Sequence, residues 1–180
     1  MKEMARYGFI LGVICFSSAL VLGLTYHFTR PAIEAQVLEE EKAGMKDVLG
    51  FADTFIAKRI GAIEYYEGRS KNNLAGFVLK AQAKGYGGPI DMMVGLDLNG
   101  QITGIKILSH SETPGLGSQI TEIKTGEDSP WFLKQFSGRR PEDLSLRNMS
   151  AITAATITSK AVIDTVKEKA QEFLVKLQKQ

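Results

Sequence analysis

Five of the ten residues in Ser150-Ala151-Ile152-Thr153-Ala154-Ala155-Thr156-Ile157-Thr158-Ser159 carry a hydroxyl, and none is charged or a glycine. The residues that follow, Lys160 to Leu177, read as an amphipathic helix, so these hydroxyls stand where a helix begins. Backbone N–H groups at a helix start have no intrahelical partner, and the helix dipole favours an anion there, most commonly a phosphate. A threonine at such a place can cap the helix, bind a phosphate, or be joined to one covalently. Covalent joining needs outside help, because a Thr hydroxyl is a poor nucleophile and no general base is evident nearby in the chain.

Two further stretches have chemical character. His110-Ser111-Glu112-Thr113-Pro114-Gly115-Leu116-Gly117 contains a Pro-Gly turn and a second glycine that permits another reversal. Gly85-Tyr86-Gly87-Gly88 is a glycine loop with one aromatic side chain. His110 and Glu112 lie two apart, but the only other histidine is His27, and no second ligand set is in view, so no metal site is predicted. There is no Ser/His/Asp set, no catalytic cysteine, no cysteine cluster and no dinucleotide or phosphate-loop fingerprint. Hydroxyls and glycine loops hold things, and a bound cofactor would have to carry any redox chemistry.

The elements that must position these stretches are legible in part. The chain has 180 residues, with 22 basic against 20 acidic side chains, which is one domain's length plus an extra segment. Balanced charge argues against nucleic-acid binding. Lys2, Arg6 and Arg30 against Glu3 leave +2 before Pro31, and the remainder is formally neutral. Tyr7 to Tyr26 is an uncharged apolar run that as a helix would span about 30 Å, the thickness of a bilayer core. Basic residues before it predict a cytoplasmic N-terminus, with the rest outside and the two tyrosines as interfacial anchors. The run exceeds an ordinary signal-peptide core and no Ala-x-Ala site follows it, which favours a retained anchor. Cys15, the sole cysteine, lies within it.

Pro31 to Leu49 continues as a helix, with Ile33, Val37, Leu38, Met45 and Val48 near helical spacing. Phe51 to Ile60 is a short apolar-periodic piece, Gly61 to Gly68 a possible strand, and Ser70-Lys71-Asn72-Asn73 a turn. Gly76 to Ala83 reads as a strand, and Ile90–Leu98 and Gln101–Ser109 flank an Asn99-Gly100 hairpin signal in which both turn residues should accept positive φ. Alternation through Met92, Val94, Leu96 and Leu98 predicts that one face of that strand is core. Asp128-Ser129-Pro130 starts a short helix containing Trp131, read as a core residue, and Phe136. Ile163, Val166, Ala170, Phe173, Leu174 and Leu177 give the last helix one apolar face for packing on the sheet.

These motifs carry a resemblance. Thr153-Ala154-Ala155-Thr156 is similar to the Ser/Thr-Gly-Ala-Thr signature of proteins that carry FMN esterified to threonine. The run Ala151–Ser159 resembles the G subunit of the Rnf/Rsx electron-transport complex, and the C subunit of the sodium-pumping NADH:quinone reductase is a cousin. Glu112-Thr113-Pro114-Gly115-Leu116-Gly117, Gly85-Tyr86-Gly87-Gly88 and the Trp131-x-x-x-Gln135-Phe136 piece match the same family. Ala154 stands where Gly is common, and Ser150 where an Asp is typical. The resemblance implies that Thr156 is the covalent acceptor of FMN phosphate. It implies that Thr153, Ala155, Ile157 and Thr158, with Glu112, Thr113, Gly115, Leu116, Gly117, Tyr86, Gly87 and Gly88, form the cofactor site, the glycine loops closing over the flavin ring. It further implies a separate flavin transferase that uses FAD and magnesium, and partner subunits of the Rnf A, B, C, D and E types.

The expectation is therefore an α+β protein: residues 1–30 as cytoplasmic N-terminus and single transmembrane helix, 31–60 as helical connector, and 61–180 as an external FMN-binding domain with an antiparallel sheet packed by helices. It would act as an electron-transfer subunit of an ion-translocating ferredoxin/NAD oxidoreductase complex, not catalytic alone. The competing reading is a non-redox, membrane-anchored binding or assembly module in which the threonine is only a helix cap. A secreted flavin carrier would differ in having its N-terminal run cleaved.

Overall fold

A computed structural model describes residues 2–123 and 125–179. The chain divides into two compact units, residues 1–40 and 41–180. The first belongs to one long helix, α1 (Lys2–Val48), which continues through Pro31. Arg30 and Glu34 form an i,i+4 pair of 2.7 Å around that proline. The apolar run on α1 is long enough to cross a membrane, and none of it is buried by protein. Its hydroxyls bond back to helix carbonyls, Ser17 to Ile14 at 3.0 Å and Thr25 to Val21 at 2.9 Å. In hydrocarbon no water is present to satisfy them, so this internal pairing is what a spanning helix requires.

The second unit is built on a five-stranded antiparallel meander in the order β1-β2-β3-β4-β5. The strands are β1 (Thr54–Ile60), β2 (Ile63–Ser70), β3 (Asn73–Lys84), β4 (Pro89–Asp97) and β5 (Ile102–His110). Helix α2 (Trp131–Lys134) and the closing helix α3 (Thr156–Leu177) complete the unit. Each hairpin has its local cause. Lys71 and Asn72 take φ of 46° and 73°, which closes β2 onto β3 in a tight two-residue turn. Gly61, at φ 59°, turns β1 into β2.

The sheet is covered on both faces. On one, Val162, Ile163, Val166, Ala170 and Phe173 of α3 pack over Phe77, Leu79, Met92, Val94 and Leu96, and Phe173 meets the Tyr65 and Phe77 rings at 5.0 and 5.2 Å. On the other, Met45 and Val48, at the end of α1, join Leu49, Ala52, Val78 and Met93. That second face is floored by glycines. A Cβ at Gly68 or Gly76 would strike Leu49, and one at Gly95 would strike the Val48 carbonyl. Salt bridges Lys80–Glu41 (2.6 Å) and Lys106–Asp47 (2.8 Å) tie the same helical turns to β3 and β5.

Four expectations change. Residues 54–60, placed in a helical connector by sequence, form β1 and pair along β2 from Thr54↔Arg69 to Ile60↔Ile63. The apolar spacing there fits either period, and pairing with β2 decides it. Met92 to Leu96 is buried on both faces, because α1 covers the side that alternation assigned to solvent, whereas Leu98 lies in the turn and is exposed. At Asn99-Gly100 only Gly100 has positive φ (78°), and the Asp97 carboxylate accepts the Asn99 N–H (2.9 Å) and Gln101 N–H (2.7 Å) to close a longer loop. Trp131 is only partly buried, and Phe132 and Phe136 fill the core instead.

Candidate functional site

Strand register brings the three motif stretches together. Lys84 pairs with Pro89, so Gly85-Tyr86-Gly87-Gly88 is the tip of the β3–β4 hairpin, closed by a 2.9 Å bond from Gly85 N–H to the Gly88 carbonyl. Ile90, next to that tip, pairs with His110, the last residue of β5. The Ser111–Gly117 loop therefore leaves β5 directly beside the tip.

Glu112 is the point where these loops meet α3. Its side chain is buried, with only 6% of the residue exposed. Oε1 accepts the Gly87 N–H at 2.9 Å, and Oε2 accepts the Thr158 hydroxyl at 2.6 Å. The Glu112 N–H donates to His110 Nδ1 at 3.3 Å. Three glycines make room for this arrangement. A Cβ at Gly85 would collide with Oε1, one at Gly117 with Oε2, and one at Gly87 with the Ser111 carbonyl. The glycines predicted to leave space for a flat ring thus first leave space for a carboxylate. Beyond Glu112, Pro114 and Gly115 (φ 76°) form a turn closed by Leu116 N–H to the Thr113 carbonyl at 3.2 Å.

Helix α3 begins at Thr156, four residues earlier than its amphipathic pattern indicates. Its N-cap is Ala155, with no side-chain capping bond, so neither Thr153 nor Thr156 caps the helix. Ser159 performs the local closure instead: its hydroxyl accepts the Ile152 N–H at 2.9 Å and donates to the Ala155 carbonyl at 3.0 Å. Ala154, in the position where Gly is common in the resembling signature, has φ of 61°. The start of the segment is held by Gln135, whose Oε1 accepts the Ser150 N–H at 2.7 Å and whose Nε2 donates to the Ser150 carbonyl at 3.0 Å.

An open groove of about 400 Å³ lies between these parts. Among the predicted site residues it is lined by Tyr86, Glu112, Thr113, Leu116, Gly117, Ala155, Thr156, Ile157 and Thr158. Its volume falls in the usual range for small-molecule sites. Tyr86, Leu116 and Ile157 are large apolar side chains left exposed at it, and Thr156 is exposed among them. Thr153, Gly115, Gly87 and Gly88 are not lining residues. Gly87 acts through its N–H on Glu112, Gly88 closes the hairpin tip, Gly115 shapes a turn, and Thr153 is exposed beside the groove. Ala154 also lines the groove and was missed, as was the holding role of Gln135. The Gln in the Trp-x-x-x-Gln-Phe piece was the available signal for the latter.

The groove suits a flat, partly apolar group bearing a phosphate. It has apolar side chains at its rim, and the first-turn amides of α3 lack intrahelical acceptors beside the Thr156 hydroxyl.

Residues 85–171, which include all three motif stretches, match the FMN-binding domain family, and residues 1–48 match the RnfG N-terminal region. The chain is 32% identical to the G subunit of the proton-translocating ferredoxin:NAD(+) oxidoreductase complex of Clostridium ljungdahlii, over 90% of this chain and 87% of that one. It is 31% identical to the G subunit of the Na(+)-translocating ferredoxin:NAD(+) oxidoreductase complex of Acetobacterium woodii, over 96% and 92%. Against the G subunit of the ion-translocating oxidoreductase complex of Methanosarcina acetivorans the identity is 32%, over 92% of each. The fold is shared with NqrC of Shewanella oneidensis, at TM-score 0.52 and 17% identity over 73% of both chains. The matched relatives, the N-terminal helix and the groove assembled from the family's motifs lead to one conclusion: the chain belongs to the G-subunit family of Rnf-type ion-translocating oxidoreductase complexes and carries that family's FMN-binding domain.

Proposed function

We propose that this chain is an electron-transfer subunit of a membrane-bound ferredoxin:NAD oxidoreductase complex, carrying FMN esterified through its phosphate to Thr156. The observation that carries this reading is the state of the Thr156 hydroxyl. It sits at the first position of α3, exposed at the groove, and among the described residues no hydrogen bond engages it. A threonine kept for helix capping would be bonded to a nearby amide, and the N-cap is Ala155 instead.

The groove residues divide the work of holding the cofactor. The unpaired amides at the start of α3 suit the phosphate, and Tyr86, Leu116 and Ile157 offer apolar surface to the ring. Bound flavin supplies one- and two-electron transfer, which no side chain of this site provides. Attachment is assigned to a flavin transferase acting on FAD with magnesium. Thr156 Oγ1 forms a bond to the FMN-side phosphorus, the pyrophosphate P–O bond breaks, AMP departs with the electron pair, and the hydroxyl proton is released. The N-terminus is assigned to the cytoplasm and the residues after the span to the outer side. The partners are the other Rnf subunits, of the A to E types.

The test is in-gel flavin fluorescence of denatured protein produced together with a flavin transferase. Wild type should give a fluorescent band and Thr156→Ala none, with both folded by circular dichroism. A fluorescent Thr156→Ala band would move the acceptor to Thr153 or Thr158. No fluorescence in the wild type would favour the non-redox anchor.

A further inference from the structure

We propose that Glu112 is not a ligand of the cofactor but a positioning residue, a buried latch that aims Thr156 and fixes the ring-side loop with a single carboxylate. The inference rests on the FMN reading above. Both Glu112 oxygens already have internal donors, the Gly87 N–H at 2.9 Å and the Thr158 hydroxyl at 2.6 Å. Potential Cβ positions at Gly85 and Gly117 press against the same two oxygens, so the surrounding chain is built closely around the carboxylate. With 6% of the residue exposed, little of it is offered to a ligand.

The geometry gives the latch a directional effect. Thr158 lies two residues beyond Thr156 on α3, a rotation of about 200° on an α-helix. Holding Thr158 inward on Glu112 therefore turns Thr156 outward, and the two are respectively buried and exposed. The other oxygen holds the hairpin tip whose Tyr86 lines the groove. One side chain thus sets the distance between the phosphate-bearing turn and the ring-side loop. A neutral backbone contact could not substitute easily, since a hydrogen bond to a charged group is worth more than one between neutral groups.

The experiment uses full-length protein co-produced with a flavin transferase, in wild-type, Thr158→Val, Thr158→Ser and Glu112→Asp forms. Two quantities are read: quenching of the attached flavin's fluorescence by iodide, and hydrogen exchange at the 85–88 tip. Thr158→Val removes the donor at nearly constant shape, and Glu112→Asp keeps the charge but is one methylene too short to reach both partners. Each should raise exchange at the tip by about tenfold, the factor for one such hydrogen bond, and increase iodide quenching. Thr158→Ser should behave as wild type. If the valine and aspartate variants fold and carry flavin with wild-type quenching and exchange, the latch is overturned. If both fail to fold, Glu112 is a core residue without a positioning role, which also overturns it. A wild-type chain that takes up no flavin would instead defeat the FMN reading, and tip exchange in the variants would still report on the latch.

Discussion

The side-chain amide of Gln135 holds the backbone of Ser150 from both sides, accepting its N–H at 2.7 Å and donating to its carbonyl at 3.0 Å. This contact joins α2 to the start of the segment that leads into Thr156. Replacing Gln135 with Ala should cost about 1 kcal/mol, because two neutral hydrogen bonds near solvent are lost. Thermal melting should show a drop of about 3 °C, and flavin incorporation should slow. An unchanged melting curve together with normal incorporation would mean that the clasp holds nothing of consequence.

Ala154 has φ of 61°, a region that costs a residue with a Cβ about 1–2 kcal/mol. Glycine avoids that strain but is freer in the unfolded chain, so Ala154→Gly should stabilise the protein by about 0.5–1 kcal/mol. Urea denaturation would read this as a higher midpoint at constant slope. A lower midpoint would show that the left-handed turn is not kept in solution.

Gly117 faces the opposite problem. An added Cβ there meets the buried Glu112 carboxylate and not open space. Gly117→Ala should destabilise by about 1–3 kcal/mol through overpacking. Gly126, where a Cβ would meet nothing but φ is 86°, provides a comparison in which only backbone strain operates. If Gly117→Ala keeps wild-type stability while Gly126→Ala loses stability, the crowding at Glu112 is relieved at no cost.

Glu67 supplies a pH dependence. Burial alone would raise its pKa, but hydrogen bonds and charge from Lys58 and Arg69 outweigh burial and hold it below the ordinary value of 4.5. The Lys58 contact is 2.7 Å and the Arg69 contact 3.3 Å. A carboxyl with a lowered folded-state pKa stabilises fully above its unfolded pKa and loses that contribution as pH falls through the folded one. The melting temperature of wild type relative to Glu67→Gln should therefore be highest at neutral pH and shrink below about pH 4.5. A difference that does not vary with pH would contradict the ion-pair account.

How much of this was readable beforehand follows from the range of each interaction. The Lys71-Asn72 turn, the α3 apolar face and the glycine loops are local patterns, and they appear where sequence puts them. The start of α3 lies four residues before its amphipathic pattern because Thr156 to Ser159 has no apolar periodicity, and the turn is closed by the Ser159 hydroxyl, which accepts the Ile152 N–H and donates to the Ala155 carbonyl. Strand β1 was missed because its identity depends on pairing with β2. The Glu112–Thr158 bond crosses 46 residues, and Gln135–Ser150 crosses 15, so neither follows from spacing. The glycine floor under Val48 and Leu49 was invisible for a related reason: Gly68, Gly76 and Gly95 look like separate strand glycines until pairing sets them against one helix end.

The central claim is covalent attachment at Thr156, and intact-protein mass spectrometry with peptide mapping tests it most directly. The chain is produced with and without a flavin transferase. Attachment there predicts an added mass of one FMN less one water, only with the transferase, on the peptide that contains Thr156. No added mass under either condition, or the same mass on a peptide lacking Thr156, would contradict it.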